Sequence, residues 1–301
     1  MNKLFSNFLK YAKLLIKPSA FILLYLALYF AAQIIIALIA AIPQLIIGLS
    51  ENPDIIYDYG ALEALVNNII FEWAIPGMLI SIFVCLPIYF LISKLRKQNF
   101  FEYCKFYKTG TVVVGLSLIL GISMNVFVTL FLNYINNLIP LQEISKGYEN
   151  LAELIMSGNT FLLFIIVGIM GPIIEEVIFR GLVYSELRKV LNVPAVIIIQ
   201  ALLFAVYHMN IIQGVNAFFI GVVLGIAVYK TGSIWPAIAI HISFNSINVL
   251  MSRAMPESFG TFLESYHLLM FAASILLTAA ILMLIWFFPR RDPACIEENS
   301  R

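Results

Sequence analysis

The chain has 301 residues, of which 62% are hydrophobic and 12% are charged, and its mean hydropathy is +0.97. Soluble domains average about 45–50% apolar and about 25% charged residues. The composition therefore excludes an ordinary soluble protein and predicts an all-α, polytopic membrane helical bundle. The net charge is +1 and the basic residues are dispersed, so nothing indicates nucleic-acid binding. The three cysteines are too scattered for a disulfide framework or a thiolate metal site.

Residues 1–19 carry four lysines ahead of a long apolar run. We expect an interfacial amphipathic segment there, followed by an uncleaved span, because the apolar region of a signal peptide is shorter. A spanning helix needs about 20 mostly apolar residues. By this rule the sequence predicts eight spans, over 20–42, 69–92, 111–134, 160–188, 194–210, 215–230, 234–251 and 267–288.

The same pattern divides the chain into four regions. After the segment 1–19 come three helices with their loops in 20–158, then the helices of 159–251, which hold the polar residues described below. The last span and a tail occupy 252–301. Of the 18 lysines and arginines, only Lys146 and Arg253 fall on one side of the predicted bundle. Because basic residues concentrate in cytoplasmic loops, we expect both termini to be cytoplasmic.

An acidic pair, Glu175-Glu176, interrupts the apolar fourth span and is followed by Arg180. Ionisable residues inside a membrane usually mark a functional site. If Arg180 marked the end of that span, Glu175 would lie near the surface, whereas His208 would lie about 22 Å deep at 1.5 Å per residue. We therefore expect the helix to continue to Arg188, which places Glu175 about 20 Å deep and allows the two to meet.

Glu176 and Arg180 are four residues apart, which is the spacing of an ion pair along a helix. That pairing leaves Glu175 pointing into a polar cavity, which Gly168, Gly171 and Pro172 just upstream could open by a bend or close packing. The alternative is that the three charged residues form a buried network that only orients helices.

His241 and Asn245 are likewise spaced to share one face of the seventh span. Alone, this pair could hold helices together by hydrogen bonds between them, and His208 alone could be a structural residue near a helix end. Together with Glu175 they are the parts needed to activate water. A buried carboxylate can act as a general base, a histidine can share the proton or bind a metal, and histidine and asparagine can donate to an oxyanion.

Three segments of the chain resemble the motifs of the CPBP family, the CAAX prenyl protease-like and bacteriocin-processing intramembrane proteases, also called the abortive infection family. They are Glu175-Glu176-Val177-Ile178-Phe179-Arg180-Gly181, Phe204-x-x-x-His208 and His241-x-x-x-Asn245. The resemblance covers roughly residues 160–250. It implies an all-helical bundle with a cytoplasm-facing cavity inside the membrane.

By the same resemblance, Glu175 and His208 activate water, His241 and Asn245 stabilise the oxyanion, and Glu176 and Arg180 support the site. The family is often called a metalloprotease, but its site has also been described as a metal-independent glutamate mechanism. Both cofactor states stay open: either none, or Zn²⁺ held by Glu175, His208 and His241. The chain lacks HExxH, GxSxG and GxGD motifs, and a compact two-ligand zinc motif on one helix is also missing.

The leading hypothesis is thus an intramembrane endopeptidase acting on a membrane-associated or lipidated peptide or protein, in a lipid bilayer that is a bacterial cell membrane. A role in bacteriocin maturation or self-immunity is a related possibility. The alternative is a scaffold or a proton-coupled transporter that uses the buried charges. Transporters often carry inverted repeats with paired broken helices, whereas this chain has one polar cluster in one half. The sequence carries no signal for the oligomeric state or the substrate.

Overall fold

A computed structural model describes residues 2–138, 158–254, 261–262 and 265–288. Within those residues the chain is helical and contains no β-strand. Nine helices are described there, and a 3₁₀ turn at Pro53–Tyr57 joins the first two. The helices are α1 (Asn2–Glu51), α2 (Tyr59–Leu95), α3 (Phe100–Tyr103), α4 (Thr111–Leu138), α5 (Thr160–Leu187), α6 (Val193–Tyr207), α7 (Ile211–Thr231), α8 (Trp235–Ala254) and α9 (His267–Phe287).

Six of these helices are long and apolar enough to cross a membrane, namely α1, α2, α4, α5, α7 and α9. The chain is an integral, multi-pass membrane protein. The predicted spans at 194–210 and 234–251 coincide with α6 and α8, but α6 has only 15 residues and α8 carries the polar residues of the site. The total of eight spans therefore stays a prediction, as does the cytoplasmic placement of the termini. The tail 289–301 and Lys146 lie outside the described residues.

The predicted boundary at residue 19 is not marked by a break in the backbone, because α1 continues through Pro18 and Pro43 to Glu51. A proline inside a helix removes one backbone hydrogen bond without necessarily ending the helix. The interfacial placement of residues 1–19, and the four-region division as a whole, stay predictions.

Helix α5 lies at the centre of the bundle. Its residues from Glu176 to Tyr184 are all buried, whereas α1 and α9 expose large apolar side chains such as Leu23, Ile39 and Leu276. A helix that is apolar all round is one enclosed by others, while the outer helices present apolar surface to lipid. The enclosure of α5 places the acidic pair and Arg180 inside the protein rather than against lipid.

Each end of the bundle is held together by its own contacts. At one end, which we call the basic end, three loops meet, namely 96–110, 188–192 and 232–234. The Ser233 hydroxyl donates there to the Tyr107 carbonyl over 2.6 Å. The Ile234 N–H donates to the Lys105 carbonyl over 2.9 Å. Arg96 forms an ion pair there with Glu186. At the other end, which we call the opposite end, Arg253 donates to the Gly158 carbonyl over 2.6 Å and so joins the end of α8 to the start of α5.

Candidate functional site

Helix α5 has an irregular backbone around the acidic pair. Residues Gly171–Glu176 are α-helical, but the segments Phe164–Met170 before them and Val177–Val183 after them are π-helical. π-Helical turns are rare and frequently occur at functional sites. Pro172 provides a local reason for the first segment, because a proline has no N–H to donate to a carbonyl four or five residues earlier.

Side chains of α8 take over the carbonyls left by Pro172. The Asn245 amide donates to the Val167 carbonyl, and the Ser246 hydroxyl donates to the Gly168 carbonyl, each over 3.2 Å. Buried carbonyls need hydrogen-bond donors. Because Pro172 supplies none, the donors come from α8, and these hydrogen bonds hold α8 against α5. Gly168 permits the close approach, since a Cβ there would lie 3.3 Å from the Ser246 Cα. This contact sets the position of Asn245.

The second carboxylate of the acidic pair is fully buried between two partners. Glu176 Oε1 lies 2.9 Å from Arg180 Nη1 and 2.8 Å from His241 Nδ1. The side chains of Glu176 and Arg180 have no exposed surface, and Arg180 also donates to the Gly221 carbonyl over 3.3 Å. A buried charge needs a partner and hydrogen bonds, and the ion pair predicted from the i, i+4 spacing is present.

The first carboxylate faces a cavity of about 430 Å³, which is also lined by His208, His241 and Asn245. Glu175 keeps 14% of its side chain exposed, and its Oε2 lies 3.5 Å from His241 Nε2. His241 therefore lies between the two carboxylates. The sequence predicted that the adjacent acids would separate into one paired and one cavity-facing group, and the structure has this arrangement. It did not predict the contacts of His241 with both.

His208 is held at the end of α6 by its own helix. Its Nδ1 lies 2.8 Å from the Phe204 carbonyl oxygen, and because a carbonyl only accepts, Nδ1 is the nitrogen that bears the proton. The other ring nitrogen, Nε2, is then available as an acceptor. Met209 has a φ of 52° and ends the helix, after which the Asn210 side chain accepts from the Ile212 and Gln213 N–H groups to begin α7.

Phe204 packs beneath the polar groups. Its ring centroid lies 4.8 Å from that of His208 and 5.6 Å from that of His241, in both cases edge to face. The Arg180 guanidinium lies over the same ring at 4.6 Å. Such contacts fix ring orientations and favour the cation over the aromatic face. Phe204 thus aligns both imidazoles with the ion pair, a role that the sequence did not reveal.

Three amide residues of the cavity wall were also missed or left without a role. Gln213 and Asn216 on α7 and Asn248 on α8 line the same cavity as Glu175. A signal existed for the first two, since amides three residues apart near the start of an apolar helix share one face. Asn248 follows Asn245 by three residues, so it lies near the same face of α8.

The residues present do not fit a zinc site of three protein ligands, which is the minimum in most catalytic sites. No group of three or more His, Cys, Asp or Glu side chains in the described part of the chain converges as metal ligands must. The set of Glu175, His208 and His241 predicted for a bound metal is therefore not brought into that geometry.

Comparisons with known proteins give one family model and one relative. A family model described as type II CAAX prenyl endopeptidase Rce1-like matches residues 157–247. A relative from Bacillus subtilis (strain 168), named "Putative membrane peptidase YdiL", is 27% identical over 141 residues, which cover 46% of this chain and 57% of the relative. The chain thus spans little more than half of that relative. No solved structure matches the chain significantly.

The fold and the site define the class of protein: a helical membrane protein with glutamate, histidine and asparagine side chains around a cavity inside the bundle. The matched residues 157–247 contain all three sequence motifs. Over these residues the chain is similar to the type II CAAX prenyl endopeptidase Rce1-like family.

Proposed function

We propose that this chain is an intramembrane peptidase that hydrolyses a peptide bond with a water molecule activated by Glu175 and His208. One observation carries the proposal: Glu175, His208 and Asn245 line the same cavity, while Glu176 and Arg180 are buried behind it. A cavity-facing carboxylate and an imidazole with a free acceptor nitrogen are groups that can take a proton from water.

In the proposed reaction, the water oxygen attacks the carbonyl carbon of the peptide bond while Glu175 takes one of its protons. His208 Nε2 accepts a hydrogen bond from the same water and orients it. The carbonyl oxygen becomes an oxyanion in a tetrahedral intermediate. When the C–N bond breaks, the proton held by Glu175 passes to the leaving nitrogen, so that the products are a carboxylic acid and an amine. The acid then gives its remaining proton, which came from the same water, to the amine, which leaves a carboxylate and an ammonium group.

The oxyanion would be stabilised by donors that are already fixed in place. One N–H of the Asn245 amide donates to the Val167 carbonyl, and the amide has a second N–H to offer. His241 donates from Nδ1 to Glu176 and lines the cavity, and it would donate to the oxyanion from Nε2 as the imidazolium, which bears a proton on both nitrogens. Glu176 and Arg180 act as positioning residues, because they hold His241 rather than touch the reacting atoms. Preorganised donors of this kind stabilise charge most effectively where water is excluded.

The substrate that we propose is a membrane-associated peptide or protein, because the cavity lies between spanning helices. A lipidated peptide is one candidate, in keeping with the prenyl endopeptidase model that matches residues 157–247. Roles in bacteriocin maturation or self-immunity stay predictions. Nothing in the site favours the scaffold or transporter alternative over hydrolysis.

The proposal can be tested with the full-length protein in proteoliposomes and a library of quenched fluorescent peptides, with and without a C-terminal prenylated cysteine. We expect Glu175→Gln and His208→Ala each to lower the cleavage rate by about 10²–10⁴-fold, the usual contribution of a general acid or base. His267→Ala is the matched control, because His267 lies at the start of α9 and does not line the cavity; this variant should cleave normally.

Each variant should elute as a single species in detergent, so that lost activity is not lost folding. Wild-type rates in both the Glu175 and the His208 variants would overturn the proposal. In the described part of the chain Glu175, His208 and His241 do not converge as three metal ligands, so we expect dialysis of the wild-type protein against a chelator to leave the rate unchanged; a lost rate that Zn²⁺ restores would contradict this expectation.

A further inference from the structure

We infer that the peptide reaches Glu175 from the opposite end of the bundle, through a passage lined by uncharged amide side chains. This inference rests on the proposed function and names the side from which its substrate comes. It differs from the cytoplasm-facing cavity that the family resemblance implies. Four observations lead to it: the direction of the cavity, a second pocket that continues it, the chemistry of its walls and the charge of the two ends.

The cavity extends from Glu175 in one direction. On α5 its lining residues precede Glu175, at Val167, Gly171 and Pro172, and on α8 they follow His241, up to Val249. Helix α5 starts and α8 finishes at the opposite end, where Arg253 joins them. Both helices therefore carry the cavity wall away from the basic end.

Towards the basic end the way is closed by packed side chains. On α5 every residue from Glu176 to Tyr184 is buried, and on α8 every residue from Pro236 to Ile240 is buried. These two stretches are mostly apolar and pack into the core of the bundle. Protein interiors are close-packed, with few voids larger than a water molecule. Along α5 and α8, the cavity of Glu175 therefore does not extend towards the basic end.

A second pocket of about 180 Å³ continues the cavity. It shares Asn216, Phe244 and Asn248 with the cavity of Glu175, and it reaches along α4 through Asn125, Thr129, Asn133 and Asn136. Asn133 and Asn136 lie in the last two turns of α4, which ends at Leu138. Since α4 starts after the loop 96–110 of the basic end, its last turns are at the opposite end. The two pockets together form an amide-lined passage.

The walls of this passage are polar although they belong to apolar helices. Asn133, Asn248 and Thr129 are exposed, and an amide facing hydrocarbon would lack hydrogen-bond partners at considerable cost. Such groups are tolerated where they line a water-filled space. No charged side chain lines the second pocket, and Glu175 is the only carboxylate along the first. An amide both donates and accepts, which matches the backbone of an extended, uncharged peptide stretch.

The charges of the loops give the orientation. The basic end carries Lys97, Lys105 and Lys108 in the loop 96–110, and Arg188 and Lys189 after α5, whereas the loop 52–58 of the opposite end carries Asp54 and Asp58. Basic loops face the cytoplasm. The passage therefore opens to the extracytoplasmic half of the membrane, and the substrate class is a peptide segment presented from that half.

Labelling of single cysteines with a membrane-impermeant maleimide tests the inference on the full-length chain in right-side-out and inside-out vesicles. The background replaces Cys85, Cys104 and Cys295 by alanine, and the reporters are Asn133→Cys, Asn216→Cys and Asn248→Cys. Asp54→Cys and Lys108→Cys are the matched controls for the two ends. Should the cysteine-free protein fail to fold, Cys85 and Cys104 can stay, because both are buried.

We expect the three reporters to react from the side that labels Asp54→Cys, roughly tenfold or more faster than from the side that labels Lys108→Cys, because thiol reactivity follows exposure. Reaction from the Lys108→Cys side, or from neither side, overturns the inference. If Asp54→Cys itself is labelled from the cytoplasm, the extracytoplasmic assignment is wrong.

A second measurement links the passage to the substrate. Peptide cleavage should be lost after Asn133→Cys has been fully modified with a bulky maleimide and retained after Asp54→Cys has been modified; unchanged cleavage in the modified Asn133 variant would overturn the inference. The labelling itself needs no cleavage. If the three reporters are labelled as expected but the Glu175→Gln variant still cleaves, the proposed function is refuted and the passage stands. If the Glu175→Gln variant is inactive but the reporters are not labelled from the side that labels Asp54→Cys, the passage alone is refuted.

Discussion

Asn245 and Ser246 are neighbours on α8 that bind adjacent carbonyls of α5, at Val167 and Gly168. Only Asn245 also lines the cavity of Glu175. The two residues therefore make the same kind of contact with the backbone of α5 but differ in their access to a substrate. This difference separates the structural role of Ser246 from the catalytic role that we propose for Asn245.

Asn245→Ala should lower the cleavage rate by about 10²–10³-fold, the loss typical of a missing oxyanion donor. Ser246→Ala should cleave normally and lose about 0.5–1.5 kcal/mol of stability, the net value of one hydrogen bond. Cleavage rates in proteoliposomes and thermal unfolding in detergent measure the two effects. Equal losses of activity in both variants would show that Asn245 acts only by holding α5.

The ion pair of Glu176 and Arg180 was predictable because both residues lie on one helix, where the spacing along the chain fixes the distance. The same helix geometry predicted that Glu176 would be paired and that Glu175 would face the cavity. The contact of His241 with both acids was not predictable in this way, because 65 residues separate it from Glu176 and the chain between them forms two further helices. Which ring nitrogen faces which carboxylate depends on how α8 is rotated against α5.

At the scale of elements, the contact of α4 with α8 depends on Gly121. A Cβ at this position would overlap the Ser243 hydroxyl and the Ile240 carbonyl oxygen. The backbone carbonyl cannot move aside as a flexible side chain would. Small residues allow helices in membranes to approach closely, and here the approach positions the helix that carries His241 and Asn245.

Gly121→Ala should destabilise the protein by about 1–3 kcal/mol, the usual result of adding a group to a packed interior, and should lower cleavage because α8 is displaced. Gly115→Ala on the same helix has nothing within 4 Å of the new Cβ and should be neutral or more stable by up to about 1 kcal/mol. Thermal unfolding of both variants in detergent gives the comparison. A neutral Gly121→Ala variant would contradict this packing.

The π-helical segments of α5 could not be predicted from the hydrophobic pattern. The helix is buried on all sides over much of its length, so no amphipathic period shows whether its turns have 3.6 residues or more. Pro172 indicated a disturbance, but its form depends on whether another helix supplies donors to the freed carbonyls. Asn245 and Ser246 supply them, from more than 70 residues away.

At the scale of the whole molecule, the basic end is held together by polar contacts between loops. Glu186 accepts hydrogen bonds from Arg96, Tyr103 and Lys189, and Arg96 also lies 3.5 Å from the centroid of the Phe21 ring. These contacts join α1, α2, α3 and α5. At the basic end, the loops and helix ends are therefore basic and are held to one another by hydrogen bonds and ion pairs.

If all eight predicted spans cross the bilayer, alkaline phosphatase fused after Asn210 should be active, since this enzyme folds only outside the cytoplasm. Fusions after Val190 and Ser233 should be inactive, and cytoplasmic green fluorescent protein at the same points should fluoresce in the reverse pattern. The physical reason is that basic loops are retained in the cytoplasm. An inactive phosphatase after Asn210 would mean that the short helix α6 does not cross with α7.

The sequence by itself determined that this is an all-helical membrane protein, where most of its helices begin and end, and which ionisable residues lie inside the bundle. These properties depend on local composition and on spacing along one helix. Both can be predicted from the sequence without knowing which helices pack together. Only the tertiary structure decided that His241 lies between two carboxylates, that Phe204 supports both imidazoles and that the cavity extends to the opposite end. These features depend on the rotation and depth of one helix against another, which close packing between distant segments sets.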